Sequence, residues 1–263
     1  MIITDLEPFF YPLAVYLGVD AFDTRSLKLY DFKGEGLHRL QPPFVWGEGG
    51  NSIEFARETV TLVRKAFEEG KLRYLVENFF PTQYNAGVLR IADLEHPDYL
   101  EKYTPIQRET VYFVSDASIR RPEVRRWHAR VEERFVPPKN TELLLLFPCS
   151  ARKPYSFSRS HTLYRKAVKE ALGSGINRVH ELILTSPFGV VPREWEWLAR
   201  YDIVVTGHWS EEEVRPAAEL LAKTLEKYPR DVPIVAHLDE AYAEVARLAA
   251  ELADRGDNLH GRE

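Results

Sequence analysis

Residues 143–161 of the chain read LLLLFPCSARKPYSFSRSH, and this stretch carries the strongest fold signal. The apolar run at residues 143–147 is typical of a strand buried on both faces, and the pattern at residues 161–172 predicts a helix. Between them lies a short polar segment, residues 148–161, which we call the cysteine loop. Ligands of α/β proteins bind at the carboxyl ends of parallel strands, beside helix N-termini. The cysteine loop is therefore the predicted functional site.

Strand and helix signals alternate after the cysteine loop. Further strands are predicted at residues 181–185, 202–206 and 233–238, and further helices at residues 211–228 and 240–253. Such alternation indicates an α/β fold in which helices cover both faces of a parallel sheet, giving three layers.

The ends of these elements place polar residues together. We expect Ser160 to cap the helix at residues 161–172 and Gly173 to end it. The carboxyl ends of parallel strands share one edge of a sheet. The residues expected at this edge are Cys149, Ser186, Phe188, His208 and His237.

Two prolines at residues 137–138 mark the predicted domain boundary, because they end a helical pattern and open an extended link. We expect two domains, at residues 1–138 and 139–263. In the first, residues 52–69 have the pattern of an amphipathic helix and residues 13–23 suggest strands. A smaller α+β domain is expected there.

The composition is that of a globular protein. The chain has 263 residues, of which 44% are hydrophobic, and it lacks the run of about 18 apolar residues that spans a membrane. Residues 1–5 lack the basic start and apolar core of a secretory signal, so we expect a cytoplasmic protein. The single cysteine excludes an internal disulfide and a cysteine-clustered zinc site. We expect neither a metal nor another cofactor.

Positive charge is concentrated in the middle of the chain. The net charge is -5, yet residues 120–169 contain 13 Lys or Arg residues and 4 Asp or Glu residues. A basic segment of this kind is able to hold RNA on one face of an acidic protein. The alternative is that residues 120–134 form an ordinary solvated helix. The candidate RNA-binding residues are Arg121, Arg125, Arg126, Arg152 and Arg159.

The spacing of residues in the cysteine loop resembles the signature of a known family. The pattern consists of Pro148 and Cys149, then Lys153, Pro154 and Tyr155, then Ser158, and finally His161. It is similar to the signature of archaeosine synthase, the archaeal tRNA amidinotransferase. Residues 184–192 and 121–126 also resemble that family, so the resemblance spans roughly residues 105–263.

The resemblance implies a substrate and partners. The substrate would be 7-cyano-7-deazaguanine already installed in tRNA, whose nitrile accepts an amine. Lysine would supply that amine, and a separate radical-SAM enzyme would finish the base on the route to archaeosine.

The first part of the chain resembles a remnant of the tRNA-guanine transglycosylase fold. Residues 18–23 are similar to a barrel strand whose second aspartate, here Asp23, is the glycosylation nucleophile. Few residues precede Leu13 to form earlier barrel strands, residues 37–50 lack the zinc-binding cysteines of those relatives, and no terminal PUA module is expected. We therefore expect a structural role for Asp23. A transglycosylase-like or PUA-containing chain is the expected partner.

The cysteine loop offers the groups that adding an amine to a nitrile requires. Cys149 is the candidate nucleophile, because Lys153, Arg152 and a helix N-terminus favour its thiolate. Lys153 or His161 is the candidate proton donor. The candidate substrate-binding residues are Tyr155, Ser158, Ser186, Phe188 and His208.

Each of these roles has an alternative. A lone cysteine at a strand end is often a small buried hydrophobe, and an amine is able to attack a nitrile directly. Lys153 could instead neutralise a phosphate, and His161 could cap or pack. His208 and His237 could both be structural.

Two other functions compete with the enzymatic one. The first is a noncatalytic RNA-binding or accessory subunit of a tRNA-modifying complex, suggested by the missing barrel and zinc elements. The second is base recognition of the uracil-DNA-glycosylase type, which rests on analogy of fold alone.

Overall fold

A computed structural model of the chain describes residues 1–33, 51–79, 83–104 and 110–261. The chain divides into two units, each with its own core. The first unit is Met1–Glu109 with Val114–Ser118, and the second is Thr110–Phe113 with Ile119–Glu263.

The first unit is largely helical. Its helices are α1 (Tyr11–Tyr16), α2 (Arg25–Phe32), α3 (Ser52–Glu68), α4 (Leu72–Phe79), α5 (Gln83–Glu95) and α6 (Pro97–Tyr103). Two short strands, β1 (Ile2–Ile3) and β2 (Ala21–Phe22), form a parallel pair. Phe9, Tyr11, Leu27 and Phe55 are buried in the main core of this unit.

The prediction of strands at residues 13–23 is wrong for most of that stretch. Pro12 lies in the first turn of α1, where its fixed φ angle favours a helix, and Leu13 and Ala14 are buried. The amphipathic helix predicted at residues 52–69 is confirmed as α3, and its cap Asn51 accepts a hydrogen bond from the Glu54 amide at 2.9 Å.

Asp23 lies just before α2. Its Oδ1 accepts a hydrogen bond from the backbone amide of Arg25 at 2.8 Å, and its other oxygen pairs with the Arg25 guanidinium. These contacts lower the pKa of Asp23. They are contacts of a carboxylate that stabilises the start of a helix. Residues 37–50, where zinc-binding cysteines were expected to be missing, lie outside the described residues.

The second unit is built on a five-stranded sheet. The short strand β3 (Val111–Tyr112) and helix α7 (Pro122–Arg134) precede it. The sheet order is β6 (Gly189–Pro192), β5 (Val179–Thr185), β4 (Leu143–Pro148), β8 (Ile234–Ala236) and β9 (Leu259–Gly261). All neighbours pair in parallel except β5 and β6, which are antiparallel. The accompanying helices are α8 (Arg159–Leu172), α9 (Glu211–Leu225) and α10 (Glu240–Leu252).

The predicted parallel sheet is confirmed in its central strands, β4, β5 and β8. The strand predicted at residues 202–206 is wrong: only β7 (Tyr201–Asp202) forms there, and it pairs with β3 outside the main sheet. Residues 204–208 are exposed, so the β-branched residues Val204 to Thr206 have no buried face that would stabilise a strand, and only Ile203 packs partly against the core. Strands β6 and β9 were not predicted because each is short.

Helix α8 begins two residues earlier than predicted. Its N-cap is Ser158, whose hydroxyl accepts a hydrogen bond from the His161 amide at 3.2 Å, so the prediction of Ser160 as cap is wrong. Gly173 does end the helix, with a positive φ of 52° that favours glycine.

The division between the two units comes earlier in the chain than the boundary predicted from the prolines at residues 137–138. Helix α7 belongs to the second unit, because Val124, Trp127 and Val131 are buried in its core. The Trp127 indole also donates a hydrogen bond to the Val190 carbonyl of β6 at 3.0 Å. None of the helices in the described part of the chain is long and apolar enough to cross a membrane.

Candidate active site

Cys149 follows the last residue of β4, at the carboxyl end of the parallel strands. Its side chain is half-buried, and its Sγ lies 3.2 Å from the Tyr242 hydroxyl in the first turn of α10. The Trp209 ring packs against the Tyr242 ring, with the two ring centres 5.0 Å apart. The thiol is thus held at the sheet edge by an aromatic wall that the sequence pattern did not indicate.

Lys153 lies in the same loop as Cys149, four residues further along the chain. Its Nζ is buried without a hydrogen-bond partner among the described residues, and it lies 4.2 Å from the centre of the Tyr201 ring. Burial lowers the pKa of Lys153, and the negative charges of Cys149 and Asp202 oppose that effect. A buried amine without a partner is suited to exchanging protons with a bound ligand.

Tyr155 forms part of the support beneath this pair. It is fully buried, its hydroxyl hydrogen-bonds to the Tyr201 hydroxyl, and Tyr201 in turn hydrogen-bonds to Thr185 at the end of β5. Burial raises the pKa of both tyrosines, so both stay protonated. With no exposed ring face, Tyr155 is placed to support the site and has no surface on which a base could stack.

His161 is fully buried, and both of its ring nitrogens have partners. Nε2 lies 3.0 Å from the Pro148 carbonyl, which accepts only, so Nε2 carries the proton. Nδ1 accepts a hydrogen bond from the Arg193 guanidinium at 2.7 Å. Burial, and then the charge of Arg193, lower the pKa of His161 to about 4. A neutral histidine with both nitrogens occupied holds the loop in place, which favours the packing alternative over proton donation.

An ion network holds the other side of the cysteine loop. Arg193 donates to Glu181 of β5 at 2.6 Å and to Glu196 at 3.2 Å. Glu196 accepts the Ser156 amide at 2.9 Å and also pairs with the Ser156 hydroxyl. This network was not predicted from the sequence. The signal was available in residues 193–197, where glutamates alternate with tryptophans directly after an apolar run.

The remaining substrate-binding candidates are placed differently. Ser158 caps α8, and the Ser186 hydroxyl donates to Glu213 in the first turn of α9. Phe188 is fully buried and stacks on Trp127 with ring centres 4.9 Å apart. His208 is exposed. Of these four, His208 alone presents its side chain to solvent.

The candidate RNA-binding arginines also differ in how exposed their side chains are. Arg121 is buried and donates to the Tyr112 carbonyl at 2.9 Å and to Glu123, so its guanidinium is committed to the fold. Arg125, Arg152 and Arg159 are exposed, and Arg126 is half-buried.

An open surface pocket lies beside the cysteine loop. Its volume is about 620 Å³, and eight residues line it: Ser150, Ala151, Arg152, Phe157, Ser158, Arg159, Ser160 and Leu163. As for metals, the described residues contain no group of three or more His, Cys, Asp or Glu side chains arranged to hold an ion.

Comparison with known proteins identifies the family. The chain is 82% identical over 255 residues to the archaeosine synthase subunit alpha of Thermococcus kodakarensis, a match that covers 97% of this chain and 45% of that protein. A family described as a domain of unknown function, DUF5591, matches residues 124–259. The chain belongs to the archaeosine synthase family. The resemblance drawn from the cysteine loop is therefore confirmed.

More distant relatives match as well. The archaeosine synthase of Methanocaldococcus jannaschii is 34% identical over 258 residues, covering 92% of this chain and 42% of that protein. The tRNA-guanine(15) transglycosylase of Thermococcus onnurineus is 30% identical over 160 residues, covering 48% of this chain and 27% of that protein. The chain thus spans less than half the length of the archaeosine synthases named here.

One solved structure also matches the chain. It is a crystal structure of a protein of unknown function, with a TM-score of 0.38 and 31% sequence identity, and the match covers 52% of this chain and 43% of that one.

Proposed function

We propose that the chain carries the amine-addition site of an archaeosine synthase. The reaction would join an amine, that of lysine, to the nitrile of 7-cyano-7-deazaguanine in archaeal tRNA. The observation that supports this most is that one loop at the carboxyl end of the sheet carries both the half-buried Cys149 thiol and the Lys153 amine, which is buried without a hydrogen-bond partner and whose pKa responds to the charge of Cys149.

The chemistry balances with these two groups alone. The Cys149 thiolate attacks the nitrile carbon while Lys153 gives a proton to the nitrile nitrogen, so a thioimidate forms. The lysine amine then adds to the same carbon and returns one proton to Lys153. The carbon–sulfur bond breaks, the amidine is released, and the thiolate is regenerated. Direct attack by the amine, without Cys149, is the alternative route.

The other candidates act around this pair. His161 positions the loop by holding the Pro148 carbonyl, and Tyr155, Ser158, Ser186 and Phe188 support the site through their neighbours. We propose that His208 contacts the substrate because its side chain is exposed.

We propose that the RNA contacts come from Arg125, Arg126, Arg152 and Arg159. Arg121 is left out because its guanidinium is buried in contacts with Tyr112 and Glu123. The reaction would take place in the cytoplasm, where tRNA is modified. We also propose that helices cover both faces of the sheet in three layers, as in the uracil-DNA-glycosylase fold.

The enzymatic proposal is tested by product mass. The whole chain is incubated with lysine and tRNA carrying the nitrile base. The tRNA is then digested, and the masses of the nucleosides are measured by mass spectrometry. We expect a lysine adduct, and we expect Lys153→Met to slow its formation by about 100-fold or more, the usual contribution of a general acid or base. Lys166→Met, at an exposed lysine of α8, is the matched control and should be neutral.

The same assay separates the two routes. Cys149→Ser should abolish turnover while tRNA binding persists. If this variant still forms the adduct, the amine attacks the nitrile directly. If the wild-type chain forms none while a full-length archaeosine synthase does, the chain is not an autonomous enzyme.

An accessory role is the second candidate. It is supported by the name of the Thermococcus relative, which is a subunit alpha, and by the share of that relative which the chain spans. It predicts tRNA binding without product, and activity on addition of a transglycosylase-like or PUA-containing chain. A radical-SAM enzyme would complete the base. If mixing with such chains restores nothing, the accessory role loses its support.

A further inference from the structure

The pocket beside the cysteine loop has an unusual lining. Two of its residues are arginines, three are serines, and Phe157 and Leu163 are 52% and 56% exposed. No Asp or Glu occurs among the described residues that line it. A surface that combines positive charge, hydroxyl groups and exposed apolar area suits an anionic ligand with apolar faces.

Two exposed aromatic rings meet edge to face, and one of them lines this pocket. Phe157, which lines it, and Trp197, which is 56% exposed, have ring centres 5.5 Å apart and planes at 89°. The guanidinium of Arg152 lies 5.8 Å from the centre of the Phe157 ring. Exposed aromatic rings next to arginine form the platforms on which unpaired bases stack.

The two residues that precede Phe157 in sequence are anchored to the fold. Tyr155 is fully buried and bonded to Tyr201, while the Ser156 amide donates to Glu196 at 2.9 Å. The fold therefore fixes the turn that exposes Phe157. The exposure of an apolar side chain whose neighbours are anchored in this way is better explained by binding of a ligand than by chance.

The platform and the reacting thiol belong to one loop. Ser150 and Arg152 line the pocket, and Cys149 directly precedes them. A nucleotide in the pocket would therefore be a close neighbour of a base held at Cys149. Arg159, in the first turn of α8 and exposed, lines the same pocket and is available for a phosphate.

We propose that this pocket binds an unpaired tRNA nucleotide next to the base that reacts at Cys149, with its base stacked on Phe157 and its phosphate paired with Arg159 and Arg152. The proposal rests on the proposed function, because it takes tRNA as the ligand. It adds a subsite that would recognise the nucleotide next to the reacting base and would take no part in the reaction itself.

Stacking is tested by changing Phe157 and measuring the dissociation constant of the whole chain for unmodified tRNA transcript. Phe157→Ala should weaken binding by about tenfold, the size of one base–aromatic stack, and should leave the dependence on salt unchanged. Phe157→Tyr should restore binding and Phe157→Leu should not. Phe67→Ala, at a phenylalanine of the first unit that is 67% exposed, is the matched control and should be neutral.

The phosphate contact has a different signature. Arg159→Ala should lower the slope of log affinity against log salt concentration by about 0.7, the value for one phosphate of a single strand. Arg165→Ala, at an exposed arginine of α8 outside the pocket, should leave that slope unchanged.

The outcomes separate this proposal from the proposed function. If the wild-type chain forms the lysine adduct but Phe157→Ala binds tRNA as tightly as it does, the pocket proposal is overturned and the enzymatic one stands. Equal binding losses in Phe157→Ala and Phe67→Ala also overturn it. If the wild-type chain binds no tRNA at any salt concentration, both proposals are overturned.

Discussion

The Tyr242 hydroxyl lies 3.2 Å from Cys149 Sγ. A thiolate carries no hydrogen, so the tyrosine hydroxyl is the donor of this contact whenever Cys149 is ionised. Burial, and then the charge of Cys149, raise the pKa of Tyr242, so the hydroxyl stays a donor. A donor aimed at sulfur stabilises the thiolate more than the thiol.

Tyr242→Phe tests this contact. Since hydrogen bonds to charged groups contribute about 1.5 kcal/mol or more, we expect alkylation of Cys149 by iodoacetamide at neutral pH to slow by about tenfold. Cys149 is the single cysteine of the chain, so mass spectrometry follows the reaction without background.

A second tyrosine provides the control for that experiment. Tyr228 is also buried, and its hydroxyl bonds to His180 at 2.6 Å. Tyr228→Phe should leave the alkylation rate unchanged. If the pH profile of Tyr242→Phe coincides with that of the wild type, the tyrosine does not act on the thiol.

Three elements of the second unit meet at His161. Its Nε2 holds the end of β4 through the Pro148 carbonyl, its backbone lies in the first turn of α8, and Arg193 reaches it from the segment after β6. The elements are joined by a neutral histidine, because burial and Arg193 depress its pKa. Protonation would place a second positive charge beside the guanidinium and break the Arg193 contact.

This junction predicts a loss of stability in acid. The pKa of His161 is about 4 in the folded chain and about 6.5 in an unfolded one. The unfolded chain therefore binds a proton first as the pH falls, and the free energy of unfolding decreases between about pH 6.5 and 4, by about 3 kcal/mol from this residue.

Denaturant titrations across that pH range check the loss. His161→Gln keeps a donor for the Pro148 carbonyl and cannot be protonated, so its unfolding free energy should fall less steeply than that of the wild type. His128 also has a pKa lowered by burial and acts in the same direction in both proteins. Equal slopes for the two proteins would contradict the assignment.

At the scale of the molecule, the chain is acidic overall but its positive charge is concentrated in one segment. The chain carries -5 overall, while residues 120–169 are strongly basic. Part of that charge is internal, since Arg121 is buried, but Arg125 is exposed on α7. The RNA contact that we propose would therefore use the exposed arginines of this segment and not Arg121.

Reversing Arg125 and Arg126 together, to Glu, should weaken tRNA binding and lower its salt slope by about 2, one phosphate for each arginine. Circular dichroism should show an unchanged fold, and Arg247→Glu on α10 is the control. A salt slope equal to that of the wild type would show that both arginines belong to an ordinary solvated helix face and do not contact RNA.

The sequence predicted the parts of the fold that depend on local pattern. The apolar run at residues 143–147 and the helix at residues 211–228 have periodicities that tertiary contacts do not override. The short helix α1 and strand β7 could not be predicted, because burial and pairing with distant segments decide them.

The candidate site shows the same division. Cys149 and Lys153 were identified because their loop follows a buried strand. Tyr242 is brought to that loop by a helix 93 residues further along the chain, so no local spacing marks it. The sequence left His161 with two roles, proton donor or packing residue, because its partners are a backbone carbonyl and a guanidinium that are visible only in the fold.

Strand β3 has a practical consequence for making shorter versions of this protein. It pairs with β7, which carries Tyr201, and Phe113 packs against Tyr201 and Phe188 with ring centres 5.8 and 5.5 Å away. The family match begins at residue 124, after β3. An expression fragment cut to that match would remove the strand that holds Tyr201 beneath Lys153. A fragment intended to keep the site must start before Thr110.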